Sequence, residues 1–207
     1  AEEAPAFLAA DNAIGLLHTL DHRLRIQRTQ RAQMVLDADH SPALSAILTQ
    51  LNPQIAAGII NPRKDGTAVA LEIGVALNQG ALVTMLADRG RPGNATARVD
   101  FLGRPAEFPT APWQIAAALH VPIVLCAGLY RGGNRYDLHF ELVTERLQID
   151  RKERQGQLRG VIQDFANRLA DLLRVAPYNW FNFYDFWNDR PPGDDQPDAR
   201  SSPTARG

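Results

Sequence analysis

The segment TAVALEIGVALNQGALVTMLADRG, Thr67–Gly90, sets a helix, a strand and a polar turn in immediate succession. Thr67 is a capping residue type ahead of an almost wholly apolar stretch running to Gln79, and Gly80 is the residue type that closes helices. The near-continuous apolar run Ala81–Leu86 comes next. Such a run predicts a central strand covered on both faces, because a half-buried strand would alternate polar and apolar residues. Ala87-Asp88-Arg89-Gly90-Arg91-Pro92-Gly93 then forms a polar turn at the strand's carboxyl end, where open α/β sheets collect their ligands.

Upstream, Pro5–Ala10 reads as a first helix leading to a short strand near Ile14–His18, and Gln33–Ala38 reads as another strand. Ser41-Pro42 pairs an N-cap with a first-turn proline and starts a helix that Asn52-Pro53 ends. Ile55–Ile60 reads as a strand. Downstream, Ala97–Leu102 is a strand candidate, Ala111–His120 a helix, and Ile123–Leu129 and Tyr136–Leu142 strands. Leu158, Val161, Ile162, Phe165, Leu169, Leu172 and Leu173 fall at three- and four-residue steps, the stripe of a core-facing helix. Alternating strands and helices predict a three-layer α/β/α fold with a mostly parallel or mixed central sheet.

The 207 residues fit one domain, and 45% apolar content is enough for a real core. We place that domain at residues 1–188. The tail 189–207 is rich in Pro, Asp, Ser and Gly, lacks large apolar residues and is expected to be disordered. The chain opens at Ala1 without an initiator Met, so an amino-terminal part such as a membrane anchor is expected ahead of it. A net charge of −1 gives no field that would draw the chain to nucleic acid. The single cysteine, Cys126, excludes a disulfide framework within the chain and reads as a buried structural thiol. No P-loop, Rossmann glycine fingerprint, zinc spacing or Gly-x-Ser-x-Gly elbow is present, which disfavours nucleotide, metal and serine-hydrolase chemistry.

Three segments could carry chemistry. Asp88 and Arg89 are either a solvated turn with a local ion pair or a ligand site, since Arg grips carboxylate and phosphate bidentately. Gly103–Trp113 (GRPAEFPTAPW), with Phe108, Pro109 and Thr110, reads as a loop entering a helix, either ordinary punctuation or an anion site at the helix amides. Gly128–Glu141 (GLYRGGNRYDLHFE) sets Arg131, Asn134 and Arg135 around a Gly132-Gly133 turn, either a solvated hairpin tip or an anion site. Tyr178–Trp187 (YNWFNFYDFW) packs seven aromatics into ten residues, an excess that suggests an interfacial surface. Among five histidines, His120 and His139 read as structural. His22 precedes Gln27 with four residues between, inside the arginine-rich stretch Arg23–Arg31, for which a solvated basic face is the plain alternative.

Taken in order, LADRG, FLGRPAEFPTAPW, GLYRGGNRYDLHFE and PYNWFNFYDFW resemble the bacterial lipid A biosynthesis acyltransferases, within the lysophospholipid acyltransferase superfamily. The likeness is closer still to acyltransferases of glycolipid and aryl-polyene gene clusters, and it covers roughly Gln33–Trp187. It implies transfer of an acyl group from an acyl carrier protein or coenzyme A thioester to a hydroxyl of a lipid or glycolipid. The setting would be the cytoplasmic face of a bacterial inner membrane, with the membrane surface as a partner and no metal or further cofactor. It makes His22 the base, with Gln27 where the family has an acid, and Asp88 part of the catalytic group. Arg89, Phe108, Pro109, Thr110, Arg131, Asn134 and Arg135 become substrate-binding residues. Gln27 departs from the family's His-x4-acid pattern, and the Gly-Asn pair usual between the two positions is absent. Two alternatives follow: a non-catalytic lipid- or carrier-protein-binding module, and a soluble small-molecule enzyme, which would need the aromatic run buried.

Overall fold

The computed structural model describes residues 7–11, 32–36, 50, 58–90, 93–133, 135–180 and 185–187. The described strands are β1 (Phe7–Asp11), β2 (Ala32–Val35), β3 (Ile59–Ile60), β4 (Leu82–Met85), β5 (Thr96–Phe101), β6 (Arg104–Pro109), β7 (Ile123–Tyr130) and β8 (Tyr136–Thr144). The helices are α1 (Gly66–Asn78), α2 (Ala111–Leu119) and α3 (Arg154–Val175), followed by a 3-10 turn, Pro177–Asn179. The architecture is mixed α/β.

Six strands form one sheet in the order β3-β2-β4-β1-β7-β8. β1 lies parallel to both β4 and β7, and β2 parallel to β3 and β4, whereas β8 returns antiparallel on β7. β5 and β6 stand apart as an antiparallel ribbon. Leu82, Val83 and Thr84 in β4 are all buried, as are Leu125, Cys126 and Ala127 in β7. Successive strand residues point to opposite faces, so both faces of the sheet are covered along these strands.

One hydrophobic cluster joins Val83, Ile123 and Leu125 of the sheet to Val69 and Ile73 of α1, Trp113 of α2 and Val99, Phe101 and Phe108 of the ribbon. The α3 stripe closes it with Leu158, Ile162, Phe165, Leu169 and Leu173. Burying each such side chain is worth roughly 1.5–3 kcal/mol, which is why a helix of low average hydrophobicity holds its place. Gln163 fixes its height: its amide donates to the Asp100 carbonyl and accepts from the Asp100 N–H, both at 2.8 Å.

Three expectations are corrected. Phe7–Asp11 is a strand, not a helix: leucine and alanine favour helix locally, but this segment is paired on both sides by β4 and β7. The cap of α1 is Asp65, whose carboxylate accepts from the Thr67 N–H at 2.9 Å. Arg104–Pro109 is a strand and not a loop, because Leu102 and Gly103, at φ 52° and 84°, make the two-residue turn that folds it back on β5. Pro105 and Pro109 are tolerated there because a two-stranded ribbon has only edges. The expected strand near Ile14–His18 and helix from Ser41, like the tail 189–207, lie outside the described residues.

Candidate functional site

Because β4 and β7 flank β1 in parallel, all three strands end at the same edge of the sheet. Asp88 lies just beyond β4 at that edge and is only 2% exposed. A buried carboxylate is tolerable only when its oxygens are bonded. Arg89 donates through Nε at 3.2 and 3.1 Å to the two oxygens and through Nη2 at 2.6 Å to Oδ2. The Trp180 indole N–H reaches the same Oδ2 at 2.9 Å. The pair is therefore anchored, and Asp88 has little room to meet a substrate directly. Its geometry is that of a group that holds Arg89, whose side chain keeps about a quarter of its surface exposed.

β7 ends in the hairpin that leads to β8. Gly132 and Gly133 take positive φ (89° and 58°), a conformation that glycine adopts without a Cβ penalty. The Arg131 N–H bonds the Arg135 carbonyl at 3.0 Å and closes the turn. Arg131 Nε pairs with Asp137 at 2.7 Å in the open, and Arg135 Nη2 lies 3.4 Å from the Arg131 carbonyl. Asn179 accepts from the Tyr130 N–H. Neighbouring residues of one short segment, Asn179 and Trp180, thus fasten the ends of β7 and β4 together. The parallel strands put the two arginine-bearing turns at one edge, and these bonds tie them there.

The second segment behaves differently. Phe108 has no exposed surface and packs edge-on against Phe101, Phe165 and Phe186. Pro109 is buried in the ribbon. The Thr110 hydroxyl donates to the Ala95 carbonyl at 3.1 Å and accepts from Gln114 at 3.2 Å. These three residues build the core and the α2 entry rather than a surface that a ligand could touch in this conformation.

Three described members of the aromatic run turn inward rather than toward an interfacial surface. Trp180, Phe186 and Trp187 gather around Phe101, with ring centroids 5.3–6.0 Å apart, and Arg104 sits 5.7 Å from the Trp187 ring centre. Tyr178 alone among the described members is fully outward. Phe181, Phe183 and Tyr184 lie outside the described residues. A small cavity of about 20 Å³ remains where this segment meets Leu129, Leu169 and Leu172.

His22, Gln27 and Asn134 lie outside the described residues, as do His18 and His40. His120 caps α2 in a left-handed conformation, and His139 approaches Glu141 at 3.4 Å on β8. Cys126 is buried, and burial pushes its thiol pKa well up, away from reactive thiolate character. Among the described residues no cluster of three or more His, Cys, Asp or Glu could hold a metal ion, and no helix is long and apolar enough to cross a membrane. Sequence reasoning missed Asn179 and Trp180 as site residues. Their signal was only the polar Asn beside a Trp within the aromatic run. In comparisons with known proteins, the chain matches no protein-family model and no curated sequence.

Proposed function

We propose that this chain is an acyltransferase that moves a fatty acyl group from a carrier-protein or coenzyme A thioester to a hydroxyl of a lipid or glycolipid. It would work at the cytoplasmic face of a bacterial inner membrane. The observation that carries the reading is the fastening of the Asp88–Arg89 turn and the Arg131–Arg135 hairpin to one strand edge by Asn179 and Trp180. Such an edge, rich in guanidinium groups, suits the phosphates of a thioester carrier or a lipid headgroup. The four motifs behind the family resemblance supply the rest, and three of them meet here.

In this reading the fold is the three-layer form. Support comes from the sheet's burial on both faces, together with the right-handed rule for crossovers. Connections running toward β3 and connections running toward β8 must then cross opposite faces. The chain leaves β1 at the same edge before reaching His22. The His22 imidazole takes the proton of the acceptor hydroxyl as its oxygen attacks the thioester carbonyl. The carbon–sulfur bond breaks, and the proton passes to the departing thiolate. Gln27 can orient the ring through a hydrogen bond but supplies no charge to balance imidazolium, so slow turnover is expected. Asp88 acts as a positioning residue for Arg89, while Arg131, Asn134 and Arg135 hold substrate anions.

Gln27 also favours a second reading, a binding module that has lost catalysis. A thioester-dependent transfer assay on the full chain, with mass spectrometry of the lipid product, separates the two. Transfer that His22→Ala abolishes supports the first; carrier or lipid binding without transfer supports the second. Normal transfer by His22→Ala removes His22 from the mechanism.

A further inference from the structure

β8 is the outermost strand of the six-stranded sheet and pairs with a described strand only along its β7 side. It is nine residues long, and none of them is fully buried. An edge of this length offers a row of backbone donors and acceptors to another strand. Its side chains are sorted by face. Leu138 and Tyr136 lie over Gly128, and Tyr130 packs at a tilt against Tyr136 with centroids 5.3 Å apart, so Tyr136, Leu138, Phe140 and Leu142 share the face away from α3. Tyr136 and Leu142 are each about half exposed there. Asp137, His139 and Glu141 share the other face, where Glu141 pairs with Arg168 of α3 at 2.8 Å.

We propose that β8 pairs antiparallel with β8 of a second copy about a two-fold axis at Phe140, joining two sheets into one. The pleat forbids a slip of one residue, which would set the apolar face of one strand against the charged face of the other. With the axis at Phe140, Leu138 meets Leu142 of the copy and His139 meets Glu141 of the copy. Each pair occurs twice because the contact is isologous. An axis at His139 would oppose Asp137 to Glu141, and one at Glu141 would oppose Asp137 to Glu145, both like-charged. An axis at Leu138 runs the pairing into the Gly132-Gly133 turn and leaves residues 141–144 unpaired. Two features blunt the edge, and both lie at its far end. Val143 is the extra residue where the β7–β8 register shifts, and Arg168 donates to the Leu142 carbonyl at 3.1 Å from the helix side. They confine the pairing to residues 138–142, within which the complementary pairs fall and the Leu142 carbonyl keeps a second lone pair for the copy.

Sedimentation of the full chain across a range of concentrations tests this. A reversible dimer is expected. His139→Glu, which faces Glu141 with like charge, raises its dissociation constant by about two- to thirtyfold, two cross-strand pairs being changed at once. The exchange His139→Glu with Glu141→His restores the pairs in reversed order and returns the constant to within about threefold. Leu138→Gln, read in parallel with circular dichroism of each variant, weakens the dimer by a route that does not depend on charge. A chain monomeric at every concentration overturns the proposal, as does a dimer indifferent to His139→Glu and Leu138→Gln. Failure of the exchange to restore a folded variant overturns the register.

Discussion

Asp88 shows what one side chain demands of its surroundings. Carrying a carboxylate out of water is costly, and donors from the adjacent Arg89 and from Trp180, 92 residues along the chain, offset that cost. Trp180→Phe keeps the ring packing and removes the indole donor. It is expected to lower stability by about 1–3 kcal/mol, the penalty for a buried group losing one bond, as read by chemical denaturation. Asp88→Ala removes the acceptor, so it and Trp180→Phe should not add; their coupling in a double-mutant cycle measures the bond. Cys126 gives a pH prediction. Its folded pKa is raised above the unfolded value of 9.0, so the folded state holds the proton more tightly. Stability from the neutral thiol is complete below that unfolded value and is lost as pH climbs past it, by at most about 1.4 kcal/mol per pH unit. Cys126→Ala should flatten the stability profile above pH 9.0, while native-state thiol labelling of the wild type stays slow at neutral pH. Rapid labelling of the folded chain would contradict this account.

The ribbon and α3 set the limits at the scale of elements. Leu102 holds φ 52° although it carries a Cβ, and left-handed backbone costs an ordinary residue roughly 1–2 kcal/mol. Leu102→Asn, better suited to that turn position, is expected to raise stability by up to about 1 kcal/mol, as measured by the denaturation midpoint. Phe165 stands where Trp113 of α2 and Phe108 of the ribbon converge on α3, with ring centroids 5.2 and 6.1 Å away. Phe165→Ala should cost about 3–5 kcal/mol, because the surrounding rings cannot all close on the cavity. Val161→Ala on the same helix, at a half-buried position, should cost distinctly less. The reach of the sequence also shows here. The α3 stripe was readable because helix period and burial coincide from Leu158 to Leu173. β6 was not, since two prolines and a glutamate look like a loop until the Leu102-Gly103 turn supplies β5 as a partner.

Across the whole molecule, the sheet order decides which strands are protected. β7 has neighbours on both sides and is covered on both faces along residues 125–127; β8 lies at the edge with no buried residue. Hydrogen exchange should therefore be slowest in β4 and β7 and markedly faster in β8 at low protein concentration. Under the two-fold pairing, β8 exchange should slow as concentration rises.

Local patterning alone was enough for the mixed α/β class, the central strand Ala81–Leu86, α3 and the glycine hairpin after β7. In each of these the local pattern and the final environment agree. It also marked Asp88, Arg89, Arg131 and Arg135 as residue types suited to a site. Long-range contacts settled that Phe7–Asp11 is a strand, that Phe108 and Thr110 belong to the core, and that Trp180 holds Asp88 while Asn179 holds the end of β7. Those outcomes rest on contacts between residues far apart in the chain. No propensity or spacing within a short window carries the free energy of a bond that forms only when the sheet has assembled.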